Sequence, residues 1–234
     1  MKKLIPLFLL IPIFGQSPLH YNISVPKDMS KKPATLFMMH GYGGNENGYK
    51  NLKERLKDDV VIVSMRAPFK MKRSLFTIFQ NSNKWYDFSI VNGDTSSNQA
   101  QINESTDRIL ATIEEVKEKY AINNERIIIG GFSQGAIMSY KLGLLYPALF
   151  SGIMVHSGRL PVEYTLLSDL NEYKDLNILI VHGKKDGVLS TKWSLQGKKL
   201  FEDINATTEY LEIDAGHSMN SASIEKIIEW IAVR

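Results

Sequence analysis

Several stretches of this chain hold three or four consecutive large apolar residues, and others are apolar only every third or fourth position. The first kind includes Thr35-Leu36-Phe37-Met38-Met39, Val60-Val61-Ile62-Val63, Arg126-Ile127-Ile128-Ile129-Gly130 and Asn177-Ile178-Leu179-Ile180-Val181. Runs of that length without polar alternation suit strands buried on both faces, as in a parallel sheet with helices packed on either side. The second kind is clearest in Ile109, Ile113, Val116 and Tyr120, with Glu114, Glu115, Lys117 and Glu118 between them, and again in Ile224, Ile227, Ile228 and Ile231. That is helical spacing with one apolar face. The pattern predicts strands at 19–25, 34–39, 60–65, 126–131, 151–155, 177–182 and 207–212, and helices at 47–57, 98–120, 134–146, 192–204 and 219–233. Strands alternating with helices imply an α/β fold with a mostly parallel central sheet covered on both faces. The stretch 67–97 has no sustained period and carries Phe69, Phe76, Phe79, Trp85, Tyr86 and Phe88. It reads as a set of excursions near the mouth of a cleft.

Chemistry gathers where the apolar runs end. Gly131-Phe132-Ser133-Gln134-Gly135 joins a strand to a helix, the setting in which a serine hydroxyl can stand exposed on a tight turn beside a base and oxyanion donors. Ser133 is therefore the candidate nucleophile. Asp186 follows the strand at 177–182 in His182-Gly183-Lys184-Lys185-Asp186, and His217 follows the strand at 207–212 in Asp214-Ala215-Gly216-His217-Ser218. The order nucleophile, acid, base is the one α/β-hydrolases use, which makes Asp186 the candidate acid and His217 the candidate base. Asp214 is the rival acid, three residues before His217, where reaching the far ring nitrogen is awkward. His40-Gly41-Tyr42-Gly43-Gly44 follows the strand at 34–39 and can turn its amides inward, so Tyr42 and Gln134 are the expected oxyanion donors. His40, His156 and His182 are expected to brace the loops they stand in.

These motifs together resemble the carboxylesterase, phospholipase and acyl-protein thioesterase group of small serine hydrolases. The resemblance rests on His40 to Gly44, Arg66-Ala67-Pro68, Trp85-Tyr86-Asp87, Gly130 to Gly135, His156-Ser157-Gly158, Gly183 to Asp186 and Gly216-His217, in the family's order. It implies an α/β-hydrolase fold and a carboxylesterase acting on carboxylic esters, with thioesters and lysophospholipids as further substrates. The chain departs from the family pattern at Gly44-Asn45-Glu46 and Gly187-Val188-Leu189, positions that bear on substrate preference. Trp85, inside a family motif and the aromatic stretch, is the expected wall of the substrate site. An acyltransferase or peptidase on the same fold, or a non-catalytic binding protein, remains open at this point.

Composition narrows the partners. The chain has 234 residues, 44% hydrophobic and 10% aromatic, enough for one sizeable core. Its formal charge is only +3, with basic residues scattered among acidic ones, so nucleic acid is not an expected partner. The absence of cysteine and of closely spaced His, Asp and Glu triplets gives no metal site, and no cofactor is expected. Met1-Lys2-Lys3 before the apolar run Leu4 to Phe14 reads as a signal peptide spanning 1–15, ahead of a single hydrolase domain at 16–234. The protein is then secreted or periplasmic, or cytoplasmic if that terminus is retained. The run is too short for a membrane-spanning helix, so stable insertion is not expected.

Overall fold

In a computed structural model of the chain, residues 16–71, 82–91, 94–161, 163–164 and 166–233 are described. The predicted signal segment 1–15, Phe76 and Phe79 lie outside them. The elements run β1 (Tyr21–Ser24), β2 (Thr35–Met39), α1 (Lys50–Leu56), β3 (Val61–Met65), β4 (Phe69–Lys70), β5 (Asn83–Lys84), β6 (Phe88–Val91) and β7 (Asp94–Ser97). There follow α2 (Gln99–Tyr120), β8 (Ile127–Phe132), α3 (Gln134–Leu145), β9 (Gly152–His156), β10 (Asn177–Gly183), α4 (Thr191–Asp203), β11 (Thr207–Ile213) and α5 (Ser221–Ala232).

Seven strands form one sheet in the order β1-β3-β2-β8-β9-β10-β11. Only β1, pairing Tyr21 with Met65 and Ser24 with Ile62, runs antiparallel. The apolar runs divide by residue parity. Phe37, Met39, Val61, Val63 and Ile129 pack with Ile109, Ile113, Tyr140 and Phe201 from α2, α3 and α4. Leu36, Met38, Ile62, Ile128 and Leu179 pack with Leu52, Ile227 and Trp230 from α1 and α5. Each strand position thus loses water on one face or the other, which is why these strands carry no polar alternation.

The helix starts follow from local chemistry. Asn98 caps α2 by accepting from Gln101 N, and Ser190 caps α4 by accepting from Lys192 N. Asn220 and Ser223 bond each other's backbone in a reciprocal cap at α5. The stretch predicted to be aperiodic contains two small antiparallel pairs, β4 with β5 and β6 with β7. Strands of two to four residues are too short to show a period.

Candidate active site

Ser133 sits at the join of β8 and α3 with φ 53 and ψ −116, a strained setting for a residue with a Cβ. The elbow closes because its flanks are glycines. A Cβ on Gly135 would stand 2.1 Å from Met39 O, and one on Gly131 would stand 2.4 Å from the Gly135 carbonyl carbon. Ser133 N donates to His156 O at 3.0 Å, tying the elbow to the end of β9.

The loops after β10 and β11 converge on this turn. Lys184 N bonds Ile213 O at 2.9 Å and Lys185 N bonds Ala215 O at 2.9 Å, so the loop carrying Asp186 and the loop carrying His217 are laced together. His217 Nε2 lies 2.8 Å from Ser133 Oγ, and His217 Nδ1 lies 2.7 Å from Asp186 Oδ2. The Asp186 side chain is fully buried. Its Oδ1 accepts the amides of Val188 and Leu189, both at 2.8 Å. Burial pushes this carboxyl up, but the hydrogen bonds from His217, Leu189 and Val188 outweigh it and hold the group below the usual carboxylate range. His182 adds a further support. Its Nε2 lies 2.8 Å from Leu189 O and 3.3 Å from Asp186 Oδ2, and since both are acceptors that nitrogen carries the proton.

The rival acid is elsewhere. Asp214 is three-quarters exposed and pairs with Lys185 Nζ at 2.6 Å, and that bond holds it below the usual carboxylate range.

The glycine loop lies on the nucleophile turn, since a Cβ on Gly41 would stand 3.3 Å from Ser133 Cβ. Within the loop Gly43 N donates to Asn83 O and Gly44 N to Gly41 O. No such acceptor is recorded for Tyr42 N among the described residues, and Gln134, as the first residue of α3, has an amide without an intrahelical partner. Both amides remain available to an oxyanion. His40 donates from Nδ1 to Gly41 O at 2.7 Å and accepts Ala67 N at Nε2 at 3.0 Å; burial pushes it down to about 4, so the ring is neutral. Beneath it Glu46, only 6% exposed, is held by a two-pronged pair with Arg66. That pair joins residues twenty apart and left no signal in the sequence.

Trp85 does not occupy the expected place. It has no exposed surface and is therefore not a wall of the open cleft. Its indole N–H donates to His40 O at 2.8 Å, its backbone N–H to Gln134 Oε1 at 2.9 Å, and its carbonyl accepts Ser105 Oγ at 2.6 Å. Gln134 Nε2 in turn donates to Tyr86 O at 2.8 Å. Trp85 thus links the glycine loop that carries Tyr42 to Gln134 at the start of α3. The reason is chemical: an indole has one polar atom, and here that atom is spent on the loop carbonyl preceding Gly41.

A cavity of about 460 Å³ opens beside these groups, lined by Gly41, Tyr42, Phe132, His217, Ser218 and Met219 among others. Tyr42 and Phe88 stack edge to face 5.3 Å apart, both nearly half exposed. A cavity of similar size, about 490 Å³, lies elsewhere, with Asn124, Glu125, Asp169 and Asp175 in its lining. The site is located by its chemistry and not by cavity size. No group of three or more His, Cys, Asp or Glu suited to a metal occurs among the described residues.

Comparison with known proteins points the same way. The chain is 26% identical over 230 residues to acyl-protein thioesterase 1 homolog 1 of Dictyostelium discoideum, covering 90% of this chain and 95% of that one. It is 24% identical over 225 residues to the mouse lysophospholipase-like protein 1, covering 93% and 94%. Among solved structures, the Bacillus cereus carboxylesterase superposes with a TM-score of 0.76 at 22% identity over 92% of this chain and 94% of that one. The Zea mays acyl-protein thioesterase 2 gives 0.73 at 20% identity, covering 92% and 98%. These likenesses give the α/β-hydrolase fold, and with the phospholipase/carboxylesterase family model matching residues 20–234, the chain belongs to that family of hydrolases.

Proposed function

We propose that this protein is a serine esterase that cleaves carboxylic esters through an acyl-enzyme. The observation that carries the reading is the unbroken line from Ser133 Oγ through the His217 ring to Asp186, with contacts of 2.8 and 2.7 Å. Neutral His217 takes the Ser133 proton at Nε2 as Oγ bonds to the ester carbonyl carbon. Asp186 holds the Nδ1–H tautomer and stabilises the imidazolium. The carbonyl oxygen, now negative, receives hydrogen bonds from the Tyr42 and Gln134 amides. Collapse of the adduct breaks the ester C–O bond, and the leaving alcohol takes the proton from His217. Water then gives a proton to His217 as its oxygen bonds to the acyl carbon, and collapse of that adduct breaks the bond from the acyl carbon to Ser133 Oγ, which takes the proton back from His217 as the acid leaves. Each step uses only groups of this chain and water.

Thioesters and lysophospholipids are further substrates under this reading, supported by the names of the thioesterase and lysophospholipase-like relatives. The chemistry is the same for each leaving group, so the choice rests on the cavity. Stopped-flow hydrolysis of 4-nitrophenyl butyrate tests the mechanism, with a burst of one 4-nitrophenol per protein expected from acyl-enzyme accumulation. Linear release at the uncatalysed rate would rule the reading out. We also propose that residues 1–15 are removed on export, as their basic start and short apolar run suggest. An intact mass from the native host that retains Met1 contradicts it.

A further inference from the structure

Arg159, just beyond β9, is only 8% exposed, yet among the described residues its side chain makes a single hydrogen bond, from Nη1 to Leu160 O at 2.9 Å. Its fork has five N–H donors. Other arginines meet carboxylates, Arg66 with Glu46 and Arg108 with Glu104, whereas Arg159 has no ion pair among the described residues. Burying an unpaired charge is costly, so such a group points to a missing counter-ion.

The space beside it is built for one. Arg159, Tyr86, Ile102, Ile137, Lys141 and Glu163 line a recess of about 10 Å³, room for the centre of one water-sized group. Gln99, Lys141 and Glu163 also line a cavity of about 200 Å³, together with Leu144 and Leu145. Lys141 likewise has no ion pair among the described residues, and burial holds it below the ordinary lysine range against the pull of Asp107 and Glu163. Glu163 is exposed. Ser97 and Gln99 bring the start of α2 to the recess. That first turn carries no acidic residue of its own; Asn98 takes the Gln101 amide and Asp87 meets the Gln101 side chain, which leaves the Gln99 and Ala100 amides without an intrahelical partner and open to an anion.

We propose that Arg159, Lys141 and the start of α2 bind a small carboxylate borne on a short aliphatic chain. The narrow inner recess has room for one carboxylate oxygen beside Arg159, a side chain whose guanidinium pairs strongly with carboxylates. Ile102, Ile137, Leu144 and Leu145 supply apolar surface for the chain. Ile137 and Lys141 follow Ser133 by four and eight residues on α3, about 6 and 12 Å along its axis at 1.5 Å per residue. Tyr86, whose carbonyl accepts Gln134 Nε2, lines the same recess. The carboxylate has two sources, a free acid or the acid end of a half-ester whose ester group reaches Ser133. Only the second rests on the esterase reading.

The test uses the whole protein and its Arg159→Met, Arg159→Lys and Lys141→Met variants. Sodium adipate at about 10 mM is expected to raise the melting temperature by about 2 °C or more over sodium chloride of equal ionic strength, and not to do so in Arg159→Met. The ratio of kcat/KM for the 4-nitrophenyl half-ester of adipic acid to that for 4-nitrophenyl hexanoate is expected to fall about tenfold in Arg159→Met, and less in Arg159→Lys. A melting shift without the change in ratio assigns the site to a free acid, and a change in ratio assigns it to the substrate. If Arg159→Met does not fold, Arg159→Lys and Lys141→Met carry the same comparison. Absence of both effects overturns the proposal, and the melting arm stands whether or not the protein hydrolyses esters.

Discussion

The two sides of Ser133 are built from different materials. On one side Asp186 and His217 stand on adjacent loops and meet through charged, directional bonds of side chains. On the other side the offered groups are backbone amides, and their position depends on His40, Trp85 and Gln134, which bond to carbonyls and amides and carry no charge at neutral pH. Under the proposed mechanism the first side moves protons and the second holds a shape. Changes on the first side should therefore cost rate with little stability, whereas changes on the second should cost some of each.

The largest expected effect lies on the charged side. Asp186→Asn leaves the size of the side chain unchanged but removes the carboxylate that fixes the His217 tautomer, and kcat for an aryl ester is expected to fall by about 10⁴. A loss smaller than tenfold would show that the orienting carboxylate is not Asp186.

Trp85→Phe probes the other side. It keeps most of the buried ring but deletes the N–H that holds His40 O, leaving a buried carbonyl short of a donor at a cost of about 1–3 kcal/mol. Displacing the glycine loop weakens a contact made only to the oxyanion, so kcat is expected to fall by about 10- to 100-fold with KM nearly constant. A change in KM that grows with acyl length, at constant kcat, would return Trp85 to the substrate wall.

The same contrast explains what could be read from the sequence. Ser133 and Asp186 each follow an apolar run that is a sheet strand, and His217 follows the edge strand β11, whose sequence Thr207-Thr208-Glu209-Tyr210-Leu211-Glu212-Ile213 mixes polar and apolar positions; the strand ends placed all three on one rim of the fold. The glycines beside Ser133 were legible for the reason the structure gives, close backbone approach at Gly135. Trp85 was not, because its motif names a residue but not which way the indole turns, and β4 and β5 are two residues each, below any periodicity. The Glu46–Arg66 pair and the lack of an ion pair at Arg159 among the described residues depend on contacts across the fold that spacing along the chain does not encode.

A smaller effect separates the sides by pH. The folded protein holds His40 down to about 4 and His156 down to about 3, both chiefly by burial, from an ordinary value of 6.5. The unfolded chain therefore takes up these protons first, and stability is full above the ordinary value and falls as the pH drops toward the folded ones. For His40 alone the loss from pH 7.5 to pH 5 amounts to about 2 kcal/mol. Urea unfolding at the two pH values should show that drop reduced by about this amount in His40→Gln; an identical drop in both proteins would place His40 in contact with water.

Asp214→Asn should do least. Its carboxylate pairs with Lys185 in solvent, and exposed pairs contribute little. Turnover within about twofold of the parent is expected, and a loss rivalling that of Asp186→Asn would transfer the acid role.

The most direct measurement is covalent. A fluorophosphonate probe added to the protein and to Ser133→Ala, followed by peptide mass mapping, reads out whether Ser133 is an activated nucleophile. The expected result is a single adduct on the peptide containing Ser133, absent from Ser133→Ala while its melting temperature is maintained. An adduct that persists in Ser133→Ala, or no adduct on the parent protein, would contradict the assignment of Ser133.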